Sequence, residues 1–124
     1  MTLAEQLTEL QAFIAEYWAS VDRIADVKRS SASFYVEAGE MELGSLRVRG
    51  REALETFFRE RNDKEVANRR TTRHFASNFR LQESSEQSAT VRALVLVYSG
   101  CGDVPLPSKP PSAVGDFTFE CVRD

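Results

Sequence analysis

The sequence holds little of what metal and redox chemistry require: one histidine and two cysteines in 124 residues. Cys101 and Cys121 stand apart and lack the histidine partners of a zinc site, so no metal is expected. Two cysteines do not make a disulfide framework, and the plain reading is one loop thiol and one strand thiol in a reducing compartment. A strong excess of either acidic or basic residues is also missing. With a formal net charge of −3 and no basic run interleaved with aromatics, nothing marks a nucleic-acid partner. The longest apolar run, residues 93–98, is far too short to cross a bilayer. The opening Met-Thr-Leu-Ala-Glu-Gln has neither a basic segment nor an apolar stretch, so no secretory signal is read and a cytoplasmic location is expected. Internal repeats and low-complexity tracts are absent too.

What is present fits one domain with a real core, since 42% of the residues are hydrophobic. Thr2 and Glu5 have the spacing of a capping box, in which hydroxyl and carboxylate satisfy the free amides of a first helical turn. Leu3, Leu7, Leu10, Ile14, Tyr17 and Val21 then recur at steps of three and four, which predicts an amphipathic helix to about Ser20. Asp22 to Gly39 is weaker. Serines at 30, 31 and 33 are poor helix formers, and residues 33–36 read equally well as a strand. A short helix over about 26–37, closed by Gly39, is the reading adopted.

Glu40–Leu43 and Leu46–Arg49 alternate about Gly44-Ser45 and predict a hairpin. Ala53, Leu54, Phe57, Phe58 and Arg61 restore the helical period, with Glu52 and Glu55 near the positive end, and predict a helix to about Lys64. Three long strands follow, over 70–82, 89–99 and 114–122. A polar turn at 83–87 separates the first two. All four prolines fall in the 100–112 loop between the others. Helices early and adjacent strands late indicate an α+β domain.

Alternation in the first long strand puts His74, Ala76 and Asn78 on one face and Arg73, Phe75, Ser77 and Phe79 on the other. A titratable ring beside a small residue and an amide suits a face that borders a cavity. Asn78 has two open readings, an amide offered to a substrate oxygen or a tie for a sheet irregularity. Tyr17 and Trp18 are either a phenol and an indole offered to a ligand or simply core. Arg69, Arg70 and Arg73 read as a solvated edge before they read as an anion site. Phe75, Phe79, Leu94, Leu96 and Tyr98 make the other sheet face apolar, and such a face needs cover; a homodimer through it is expected.

The element order, together with "VRGREAL" at 48–54 and "RTTRHFASN" at 70–78, resembles the SnoaL-like families of the nuclear transport factor 2-like, or cystatin-like, superfamily. The resemblance covers nearly the whole chain. It implies a cone in which a curved, mostly antiparallel sheet wraps over about three N-terminal helices, around a pocket for a small hydrophobic molecule. Members similar to scytalone dehydratase carry an aspartate after the first helix and a histidine on the first long strand, and Asp22 and His74 match them. The resemblance thus implies a cofactor-independent lyase or isomerase in which His74 is the base and Asp22 orients its ring, with Tyr17, Trp18 and Asn78 as ligand contacts.

The sequence departs from that pattern elsewhere. Val21 stands at the tyrosine-like position before Asp22, Met41 or Leu43 at the hairpin tyrosine, and no second histidine exists. The family usually continues from a strand like 116–122 into one more strand, whereas this sequence stops at Asp124, so either that edge strand is absent or the sequence is shortened. The alternative reading is a non-catalytic ligand-binding or structural dimeric module, like the small subunits of aromatic-ring dioxygenases, which are similar to the same fold.

Overall fold

The computed structural model describes residues 1–123. Helix α1 (Leu3–Val21) opens with the expected capping box. The Glu5 amide donates to Thr2 Oγ1 at 3.1 Å, and the Thr2 amide donates to Glu5 Oε2 at 2.8 Å. The helix closes in a Schellman motif. The Ile24 amide reaches the Ala19 carbonyl at 3.0 Å and the Arg23 amide reaches Ser20 at 3.2 Å, with Arg23 at φ +57° where glycine is usual. Asp22 is therefore the C-cap residue, at the negative end of the helix dipole.

The expected helix over 26–37 is instead one turn of 3-10 helix, Ser31–Phe34. The reason is local competition. Ser33 Oγ donates to the Ser30 carbonyl at 2.6 Å, while Arg29 donates to Ser33 Oγ at 2.9 Å and to the Ser33 carbonyl at 2.8 Å. Serine side chains that bond their own turn offer the backbone an alternative to a helix. The N-terminal part thus holds one long α-helix and one tight turn, where a second helix was expected.

Strands β1 (Glu40–Leu43) and β2 (Leu46–Arg49) pair antiparallel, Glu40 opposite Arg49 and Leu43 opposite Leu46. Gly44, at φ +60°, supplies the left-handed turn residue this two-residue loop demands. Helix α2 (Arg51–Ala67) packs on the 3-10 turn and on β2. Its C-terminus is tied by Asn68, whose side-chain amide donates to the Lys64 carbonyl at 2.9 Å, and by Arg69 at φ +51°. Strands β3 (Arg70–Ser84), β4 (Ser88–Cys101) and β5 (Ala113–Val122) then form a sheet in that order.

The chain falls into two compact units. One holds Met1–Ala15, Thr72–Gly100 and the residues from Pro107 onward; the other holds Glu16–Thr71 and Cys101–Leu106. In the first, Ile14, Ala89, Val91, Ala93 and Val95 are buried, so odd-numbered residues of β4 face the core. β5 pairs antiparallel with β4, Val91 opposite Phe119 and Val95 opposite Gly115. A Cβ on Gly115 would come within 2.5 Å of the Phe117 ring, so glycine lets that ring lie over its own strand.

In β3 the covered positions are first even-numbered, Thr72, His74 and Ala76, and then odd-numbered, Phe79 and Leu81. The change of parity falls at Asn78, whose φ is +56° in the middle of a strand. One extra residue in a bulge moves every later side chain to the opposite face. Phe79 therefore leaves the outward face on which uninterrupted alternation puts it, while Phe75 stays there at 58% exposure.

In the second unit Tyr17, Trp18, Val21, Ala32, Leu54 and Phe58 are the buried hydrophobic residues. Burying each large side chain contributes roughly 1.5–3 kcal/mol. Three hydrogen bonds lock the segment after the 3-10 turn onto the start of α2. The Arg51 amide reaches Glu37 O at 2.9 Å, the Gly50 amide Gly39 O at 2.8 Å, and Arg51 Nη2 the Tyr35 carbonyl at 2.7 Å.

Candidate functional site

Tyr17 and Trp18 on the last turns of α1 and Asp22 at its C-cap lie in the second unit, and all three are buried. Asp22 is 7% exposed. A carboxylate so placed, out of water and beside the partial negative charge of its own helix end, requires compensating partners. Tyr17 and Trp18 have ring centroids 5.1 Å apart.

Around Tyr17 stands an aromatic cluster. Phe34 lies 5.8 Å away edge-on, Tyr35 5.6 Å and Phe58 6.5 Å. The Tyr17 and Tyr35 hydroxyls meet at 2.5 Å. Burial pushes both phenols above their usual value, and for Tyr17 the neighbouring Tyr35 adds to the rise while Arg61 opposes it. Both hydroxyls are thus held protonated.

Beside this cluster runs a second polar chain. Arg61 Nη2 pairs with Glu65 Oε1 at 2.7 Å, and Arg61 Nη1 donates to the Val21 carbonyl at 3.0 Å, tying α2 to the end of α1. Ser20 Oγ donates to the Tyr17 carbonyl at 2.6 Å and meets Ser31 Oγ at 2.9 Å. Asn62 Oδ1, one turn past Phe58 on the same face of α2, is buried with no hydrogen-bond partner among the described residues.

Tyr35 is the residue that sequence reasoning missed. It lay in a segment read as helix, with nothing local to tell it from a core aromatic. The signal that was available is compositional: one of only three tyrosines stands beside Phe34 after a serine-rich turn.

His74 and Asn78 belong to β3 in the first unit. His74 is half-buried on the covered face with Thr72 and Ala76, whereas Asn78 is exposed. Asn78 lines an open depression of about 310 Å³ with Phe79, Arg80, Ala93, Leu94 and Asp116. At its rim Arg92 Nη2 pairs with Asp116 Oδ2 at 2.6 Å. On the outward face the Phe75 and Tyr98 rings meet edge-on at 5.4 Å, with Leu94 45% exposed.

Arg69 pairs with Asp103 at the surface, and Arg73 Nη1 donates to the Thr72 carbonyl at 2.8 Å, as suits a solvated strand edge. Cys101 and Cys121 are free thiols. Among the described residues no group of three or more His, Cys, Asp or Glu is placed to hold a metal, and no helix is long and apolar enough to cross a membrane.

Helices followed by an antiparallel sheet define an α+β protein of the cystatin-like class. The chain belongs to the SnoaL-like domain family, whose model matches residues 2–124. Solved structures agree on the fold. A candidate scytalone dehydratase from Novosphingobium aromaticivorans is 18% identical with a TM-score of 0.73, over 98% of this chain and 76% of that one. A protein from Catenulispora acidiphila in complex with S-DNPA is 18% identical with a TM-score of 0.74, over 98% and 84%. A Nostoc punctiforme protein of unknown function with a cystatin-like fold is 19% identical with a TM-score of 0.69, over 97% and 80%. No curated protein matches the sequence.

Proposed function

We propose that this SnoaL-like protein binds a small hydrophobic, aromatic or polycyclic molecule and acts on it as a lyase or isomerase that needs no cofactor. His74 is the base, and Asp22 is the carboxylate that orients its ring and stabilises the imidazolium. The imidazole takes a proton from the carbon next to a carbonyl, and the electron pair moves onto the carbonyl oxygen. Collapse of that enolate expels a β-hydroxyl, which leaves as water with the proton returned by the imidazolium. Where no leaving group exists, return of the proton at another carbon shifts the double bond.

The observation that carries this reading is the placement of Asp22, a carboxylate 7% exposed at the C-cap of the first helix, where the resemblance to scytalone dehydratase expects the orienting carboxylate. The relatives lend support, since one is a candidate scytalone dehydratase and another was solved in complex with S-DNPA. The test is a spectrophotometric screen of β-hydroxy-ketones and enones with the wild type, His74→Gln and Asp22→Asn. Either substitution is expected to lower turnover about 100-fold or more. Turnover that survives His74→Gln would remove His74 as the base.

A second reading, a non-catalytic dimeric module, draws on the exposed Phe75 and Leu94 beside Tyr98. The homodimer through that face is part of both readings, and light scattering of Phe75→Asp against the wild type tests it. A cytoplasmic setting suits the two free thiols.

A further inference from the structure

The depression of about 310 Å³ in the first unit has no part in the His74 chemistry. It opens on the face of the sheet turned away from the core. Leu94 is an even-numbered residue of β4 and stands opposite Asp116 of β5. Arg80 reaches the same face because the bulge at Asn78, φ +56°, has reversed the parity of β3. His74 belongs to the covered side of that strand. Along β4, Leu94 lies four residues, about 13 Å, from Tyr98, so the hollow sits at the charged margin of the face and the Phe75–Tyr98 contact at its apolar part.

The groups around this hollow are short of acceptors. Arg80 is exposed, and its guanidinium has no hydrogen bond or ion pair among the described residues. The Asn78 side-chain amide has none either. At the rim, Arg92 gives Nη2 to Asp116 Oδ2 at 2.6 Å, while its Nε is buried without a hydrogen-bond partner. Two guanidiniums against one carboxylate leave one positive charge uncompensated. A guanidinium presents parallel N–H donors that match a planar carboxylate. Beside these donors the lining is apolar, with Phe79, Ala93 and a 45% exposed Leu94. A bare inorganic anion would leave that lining unused, and the volume stands at the small end of ligand pockets.

We propose that the hollow at the Asn78 bulge is a second binding site, for a small carboxylate with an apolar body of one or two rings. Arg80 holds the carboxylate, the Asn78 amide donates a further hydrogen bond, and the rings lie against Leu94. Asp116 restrains the affinity, because it neutralises Arg92 at the rim.

The test is a nitrogen–proton correlation NMR titration with 2-naphthoate and with 2-naphthamide, which share their rings and differ in charge. The wild type is expected to bind the naphthoate about five-fold or more tightly than the amide, with shifts gathered at Asn78, Arg80, Leu94 and Asp116. Sodium chloride at about 0.5 M should remove most of that preference. Arg80→Gln should abolish it and leave naphthamide affinity within about two-fold; the exposed, unpartnered side chain keeps folding out of the result. Asp116→Asn should instead tighten naphthoate binding, since Arg92 loses its counter-charge. Equal binding of the two probes, no binding, or shifts gathered only at Thr72, His74 and Ala76 would overturn the proposal. So would a preference that survives Arg80→Gln, or naphthoate binding that fails to tighten in Asp116→Asn. None of these results bears on the His74 chemistry, which the substrate screen tests separately.

Discussion

Arg61→Met probes the polar tie that joins α2 to the end of α1. The substitution keeps most of the aliphatic stem and removes two interactions, the ion pair to Glu65 at 2.7 Å and the bond to the Val21 carbonyl at 3.0 Å. Glu65 is the decisive partner, because its side chain is 7% exposed and water cannot replace the guanidinium. Breaking a buried pair by removing one member costs roughly 3–5 kcal/mol, and the lost bond to the carbonyl adds about 1 kcal/mol. Arg61 itself is 24% exposed, which screens part of the interaction and favours a total of about 3 kcal/mol.

With an unfolding entropy of about 260 cal/mol/K for 124 residues, Tm should fall by about 12 °C. The double variant Arg61→Met/Glu65→Leu removes the buried carboxylate as well, and should be more stable than Arg61→Met alone. Urea unfolding of the wild type, both single variants and the double variant closes the cycle. An Arg61→Met variant that loses under about 1 kcal/mol, or a double variant less stable than Arg61→Met alone, would refute the account of Arg61–Glu65 as a buried pair that stabilises the fold.

Two further outcomes follow from the same geometry. Tyr17 and Tyr35 have raised pKa values in the folded chain, while in the unfolded chain they ionise near the usual value of about 10. Their contribution to stability is therefore complete below about pH 10 and declines as pH rises, by up to about 1.4 kcal/mol per pH unit for each phenol. Absorbance of tyrosinate at alkaline pH should consequently rise in step with loss of near-ultraviolet circular dichroism; phenolate from these two residues in a chain that is still folded would contradict the burial argument. At Asn78, φ +56° predicts that Asn78→Val costs about 1–2 kcal/mol while Asn78→Gly stays within about 0.5 kcal/mol of the wild type. Urea midpoints of the pair check this, and equal loss in both variants would contradict the left-handed assignment.

Local pattern explains how much could be read in advance. Thr2 with Glu5 and the Leu3–Val21 stripe announce α1. Gly44-Ser45 between alternating runs announces the hairpin, and Ala53 to Arg61 announces α2. The boundaries of the three long strands are legible to within two residues because polar turns and a proline-rich loop punctuate them. The reading fails where side chains rather than periodicity decide. Ser33 and Arg29 shorten a helix to one turn, and Arg23 closes α1 in a conformation that ordinarily signals glycine.

By itself, then, the sequence determined the α+β class and the order and type of every element but the one after α1, because helical and strand periods and turn residues act within a few positions of one another. The family was legible as a resemblance carried by the motifs at 48–54 and 70–78. Which groups meet was left to the tertiary structure. Tyr17 and Tyr35 are separated by 18 residues, and only the docking of the segment after the 3-10 turn against α2 brings their hydroxyls to 2.5 Å. Asn78 reverses the faces of β3 through a single left-handed φ, which no alternation of apolar and polar residues can express. Hydrogen bonds and burial between distant residues depend on how whole elements pack, and a one-dimensional pattern carries no measure of that distance.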